Sequence, residues 1–119
     1  QMCIRDSIRI FEIKNFYEGI SRFNFDELCD NNLGAEDFLE IVKNLKFMII
    51  EKIPQFNDIN SNQQQRFITL IDIIYDKNLP IAVTASQNIH EFTTSRSLEQ
   101  PFKRTISRLY ELTSMKYNI

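Results

Sequence analysis

The chain has 119 residues, 43% of them hydrophobic and 25% charged, with a formal net charge of −2. This is the composition of one ordinary globular domain, large enough for a core although it buries a smaller share of its surface than a large domain does. The interspersed acids and bases exclude a nucleic-acid surface built on bulk positive charge, and no apolar run approaches the roughly 20 residues of a membrane span.

Gln1 to Ser7 carries charges with no apolar h-region after them, so it does not read as a signal peptide. It is expected to be a non-native remnant with few core contacts, the domain proper being 8–119. The run around Ile8, Ile10, Glu12 and Lys14 has a strand's mixed apolar character, and Gly19 interrupts it. From Ile20 to Phe25, Phe23 and Phe25 alternate with Arg22, Asn24 and Asp26, the period of a strand with one wet face.

Asn31-Asn32-Leu33-Gly34 is turn chemistry. Phe38, Ile41, Val42 and Leu45 then recur at helical spacing, with Glu36 and Asp37 at the start and Lys43 and Lys46 at the end, complementing the helix dipole. Phe47-Met48-Ile49-Ile50 is continuously apolar, as in a strand covered on both faces, and Pro54 closes it. In the next helix Ser61 and Gln64 fit a capping box, and Phe67, Leu70, Ile71, Ile74 and Tyr75 form the apolar stripe. Asn78 suits a left-handed cap. Asp72, away from the stripe, is expected to face solvent or a partner, so that its truncation costs no more than about 0.5 kcal/mol.

Pro80 to Val83 reads as a strand, 86–100 as a loop, and Phe102, Ile106, Leu109, Tyr110 and Leu112 line a last helix opened by Pro101. The expected fold is α/β, a mainly parallel sheet with flanking helices in the order β-β-α-β-α-β-α. The helices are placed at 34–45, 61–77 and 101–114.

Two cysteines, Cys3 and Cys29, are too few for a disulfide framework or a thiolate metal site and read as reduced thiols. His90 has no ligand partner at suitable spacing and reads as a surface residue. Phe25-Asp26-Glu27 has the outline of a Walker B end, but Arg22 and Asn24 interrupt the strand and no Gly-x-x-x-x-Gly-Lys-Ser/Thr loop exists to hold phosphates. Strand-end residues with acids capping a turn are the competing reading. Glu51, and Thr84 or Ser86, stand at the carboxyl ends of two parallel strands, where open α/β sheets collect ligands, although polar residues also sit at strand ends simply to meet water. Arg104 and Arg108, four apart on one helix face, suit a phosphate or interface contact, or else pairing with nearby carboxylates.

Three segments, Phe23-Asn24-Phe25-Asp26-Glu27-Leu28-Cys29, Gln65 to Asp76 and Arg104-Thr105-Ile106-Ser107-Arg108-Leu109, follow one another at a spacing that resembles the C-terminal third of ZapE-like P-loop ATPases, proteins of the AAA-related class. The resemblance runs from about Ile8 to Tyr117. The sequence departs from the pattern at Gln65, where the family has a second Arg, at Gln100, where it has an aromatic, and at Leu112, where it has Met. The resemblance implies that the intact protein binds and hydrolyses ATP with magnesium, using a P-loop and Walker B in a missing N-terminal ATPase core. By the same resemblance FtsZ is the bacterial partner, the location is cytoplasmic at or near the division site, and mitochondrial relatives act in inner-membrane protein quality control. Glu51, Thr84, Arg104 and Arg108 become the candidate nucleotide contacts of this segment, with no catalytic residue and no metal ligand of its own. The segment is expected to be inactive alone. The alternative is a stand-alone α/β interaction module without enzymatic activity.

Overall fold

The computed structural model describes residues 2–5, 10–13 and 16–113, with side chains from Tyr17 onward. In chain order the elements are β1 (Met2–Arg5), β2 (Ile10–Ile13), β3 (Phe16–Tyr17), β4 (Ile20–Asn24), α1 (Phe25–Cys29), α2 (Ala35–Lys43), β5 (Phe47–Ile53), α3 (Ser61–Asp76), β6 (Ile81–Ala85) and α4 (Glu99–Thr113). Short 3-10 helices at Ile89–Glu91 and Arg96–Leu98 lie between β6 and α4. β1 and β2 pair antiparallel. The side chains of 1–16 lie outside the described residues, and with them the expectation that 1–7 makes few core contacts.

Glu18 and Gly19 both take positive φ, 49° and 86°, as in a type I′ turn, whose twist matches the strands it joins. This turn folds β3 back along β4. The Gly19 carbonyl also accepts the N–H groups of Lys46 and Phe47 at 2.6 and 3.2 Å, which starts β5 beside β4. A Cβ on Gly19 would lie 2.9 Å from Lys46 Cγ.

The resulting sheet has the order β3-β4-β5-β6. β4 runs parallel to β5, with Ile20 opposite Phe47 and Phe23 opposite Ile50. β5 runs parallel to β6, with Met48 opposite Ile81 and Ile50 opposite Val83. The α/β expectation is met: Phe47–Ile50 and Ile81–Val83 are parallel neighbours in one sheet, and the three long helices fall where periodicity placed them, within a few residues at each end.

The buried rows of the sheet, Ser21 and Phe23, Met48 and Ile50, and Ile81, face the helices. Phe25, Phe56, Phe67 and Phe102 join the helices over this face, their rings 5.5–5.8 Å apart in tilted and edge-on pairs, arrangements that favour aromatic packing. Asn78 takes φ 55° after α3. The Leu79 N–H reaches the Ile74 carbonyl at 3.1 Å and the Asn78 N–H that of Tyr75 at 3.2 Å. That is a Schellman end, with buried Leu79 as its apolar contact.

Three local expectations are corrected. Phe25 does not end the strand but opens α1, because Phe25, Leu28 and Cys29 share helical spacing and all three are buried. Glu27 accepts the Asn24 N–H at 2.8 Å, so the acids of Phe25-Asp26-Glu27 cap a helix start. Ser61 and Gln64 form no capping box: α3 is preceded by Asn60 without a side-chain cap, and Asn57 and Asn60 bond within their own loop. Gln64 is instead fully buried, donating to Thr94 Oγ1 at 2.7 Å and accepting from the Ser95 N–H at 3.0 Å. Finally, among the described residues β5 is covered on one face only, and Phe47 and Ile49 keep accessible surface.

Phe56, at the junction of four rings in a loop, tests this core. Phe56→Ala is expected to cost about 3–5 kcal/mol in a denaturant titration; a cost below about 1 kcal/mol would show that the ring cluster does not hold the helices to the sheet.

Candidate functional site

The carboxyl end of the parallel sheet is built around an irregularity in β5. Register passes from Ile50 opposite Val83 to Ile53 opposite Ala85, so Glu51 and Lys52 together oppose Thr84. Lys52 absorbs the extra residue with φ 62°, a left-handed conformation that costs a non-glycine residue on the order of 1–2 kcal/mol. Its N–H is satisfied by Thr84 Oγ1 at 3.0 Å. Such bulges re-aim side chains and are frequent beside functional sites. Glu51 then lies on the open face of the sheet, 3.2 Å from Arg22 Nε on β4. Next to it Lys52, Pro54, Thr84 and Ser86 line a shallow cavity of about 320 Å³.

Arg104 and Arg108 are on a different surface. Both reach back from α4 to Asp72 on α3: Arg108 Nη1 is 2.7 Å from Oδ1 and Arg104 Nη2 is 3.3 Å from Oδ2. The Arg108 guanidinium also lies 4.7 Å from the centre of the Tyr75 ring, and the Tyr75 hydroxyl donates to Glu111 at 2.8 Å. The bond to Glu111 and that carboxylate's charge raise the Tyr75 pKa. Five polar side chains thus stitch α3 to α4. The four candidate residues therefore fall into two pairs: Glu51 and Thr84 share the carboxyl end of the sheet, whereas Arg104 and Arg108 share Asp72 between two helices.

Arg66 is tied down as well, donating to the Cys29 carbonyl at 2.9 Å, so the signature helix also holds the end of α1. Cys29 is completely buried, and burial pushes its thiol far above the ordinary value, the Arg66 charge opposing this only in part. A protonated, inaccessible thiol is a packing group rather than a nucleophile. His90 is exposed, its ring 5.1 Å from that of Tyr110. Among the described residues no three His, Cys, Asp or Glu side chains gather as a metal would require.

Two ion-pair partners of the candidate residues are not evident from the sequence. Asp72, expected to face solvent or a partner, is half-buried between two arginines of α4, and Arg22 is the counter-ion of Glu51. In both cases the partners come from different elements. The one available signal for Asp72 is an acid inside the apolar run Leu70–Ile74, with an Arg-x-x-x-Arg face in a later helix. Asp72→Ala is accordingly expected to cost about 1–2 kcal/mol at low salt, since charged hydrogen bonds are lost but the group is partly screened. The loss should shrink in molar salt; a cost under about 0.5 kcal/mol at low salt would place the network outside the stability of the fold.

A family model described as AFG1-like ATPase matches residues 4–119. Over 66 residues the chain is 38% identical to lactation elevated protein 1 homolog B of Danio rerio, an alignment covering 56% of this chain and 13% of that protein. Over 94 residues it is 24% identical to the cell division protein ZapE of Escherichia coli (strain K12), covering 79% of this chain and 25% of the relative. No solved structure gives a significant match. The chain spans a quarter or less of the length of these relatives. Matched by the family model from residue 4 to its last residue, the chain belongs to the AFG1-like ATPase family.

Proposed function

We propose that this chain is the C-terminal α/β part of a ZapE-like ATPase whose intact form binds and hydrolyses ATP with magnesium. Its own task in that enzyme is to complete the structure and couple it to a partner, the phosphate chemistry residing in a separate N-terminal core. The observation that carries this reading is that the family's three characteristic segments are spent on one another. Arg66 holds the Cys29 carbonyl, Asp72 holds Arg104 and Arg108, and Phe25 packs on Phe67. Residues so committed support architecture.

ATP and magnesium do not fit these residues taken alone. The connection from β5 to α3 contains no glycine and buries Phe56 in the core, so it offers no cradle of free N–H groups for phosphates. Glu51 is the acid best placed for a ligand, and it is already paired with Arg22. For Arg104 or Arg108 to touch a nucleotide, the guanidinium would have to leave Asp72. Preorganised phosphate contacts and magnesium ligands supply almost all of phosphoryl-transfer catalysis, so the isolated part is inactive in this account. In a bacterium the intact protein acts in the cytoplasm on the division protein FtsZ; a eukaryotic version acts in mitochondria.

The test compares this chain with the product of the same reading frame extended upstream. Magnesium-dependent ATP hydrolysis is expected from the longer product and none above background from the 119-residue chain. Micromolar ATP affinity of the short chain by calorimetry would overturn the division of labour. A start codon near Ile8 with no P-loop upstream would favour a stand-alone interaction module.

A further inference from the structure

Parallel sheets occur almost only with both faces covered, because their crossover connections lay helices there. Among the described residues of this protein the helices pack over a single face. Crossovers α2 and α3 touch each other, and α3 also touches α1 and α4. The opposite face carries Tyr17, Ile20 and Phe47 side by side in one row, then Arg22, Ile49 and Ala82 in the next. Tyr17 is 70% exposed and Ile20 43%. Among the described residues, none of the apolar members of these rows belongs to the core or packs against it. Toward the carboxyl end the same face turns polar, with the Arg22–Glu51 pair.

We propose that this open face is the docking surface on which the ATPase portion of the intact protein lays a layer of apolar helix. The proposal rests on the reading of this chain as part of a longer ATPase. Two observations select that occupant. The aligned segment is a quarter or less of each relative, so most of such a protein lies outside it and has to pack somewhere. A second copy of this chain meeting the same patch would stack sheet on sheet, an arrangement typical of antiparallel sandwiches, whereas parallel sheets take helices. The incoming surface should be apolar opposite Ile20, Phe47 and Ile49, and should bring polar groups opposite Arg22 and Glu51, whose pair would otherwise be desolvated without compensation.

The experiment measures thiol accessibility in the Cys3→Ser background, in which buried Cys29 is silent. Ile49→Cys and, as the smaller change, Ala82→Cys are made in this chain and in the longer product, and maleimide labelling rates are compared. Both thiols should react freely in the short chain and at least tenfold more slowly in the longer one. Equal rates in the two contexts, in a longer product that binds ATP, would overturn the docking surface while leaving the ATPase reading intact. Slow labelling of the short chain together with a dimer by light scattering would instead assign the face to a second copy. A longer product that binds no nucleotide would remove the reading on which the proposal rests.

Discussion

Phe67, Leu70, Ile71 and Ile74 must leave water together, because helical geometry puts them on one side of α3, and all four are fully buried. Each contributes roughly 1.5–3 kcal/mol when taken from water, so the position of α3 over the sheet is the condition that the other contacts satisfy. The sheet provides Phe23, Met48, Ile50 and Ile81 beneath it. On its flanks α3 receives α1 through Arg66 and α4 through Asp72. At its start Gln64 clamps the segment after β6, and at its end Asn78 turns the chain into β6. Anything that dislodged α3 would take away the partners of the Cys29 carbonyl and the Ser95 N–H, a penalty beyond the lost apolar contact.

This arrangement separates two kinds of residue that are hard to tell apart in a motif. Arginines and acids at regular spacing can hold phosphates or hold helices. Here Asp72, Arg104 and Arg108 satisfy one another at 2.7–3.3 Å and Arg108 rests on Tyr75, a self-contained set. The carboxyl end of the sheet is different. Lys52 adopts a disfavoured backbone conformation that leaves Glu51 on the open face, where Arg22 is its one ion-pair partner among the described residues. Strain of this kind persists only where the surroundings hold it, and Thr84 does so through its hydroxyl.

Local features were the legible ones. The 3.6-residue stripe of α3, the left-handed Asn78 and the short apolar strands each follow from a few consecutive side chains. The parallel pairing followed from the alternation of strand and helix. The β3–β4 hairpin was missed because Glu18-Gly19 is a weaker turn signal than Asn-Gly, although both φ angles are positive. Phe25 was assigned to the strand because Phe23 and Phe25 also alternate, and only its burial with Leu28 and Cys29 decides for helix. Gln64 fits a cap in sequence, but its actual partners, Thr94 and Ser95, lie 30 and 31 residues away. The apolar run Phe47–Ile50 reads as a strand covered on both faces, whereas the described residues cover only one of them.

The claim that α3 is the keystone is tested most directly by native-state hydrogen exchange of this chain. Amides in the middle of α3, from Phe67 to Ile74, should exchange only by global unfolding, at the free energy obtained from denaturant titration, and α4 should open at a lower free energy. Exchange of α3 by a smaller opening, while β5 remains protected, would contradict the account and transfer the organising role to the sheet.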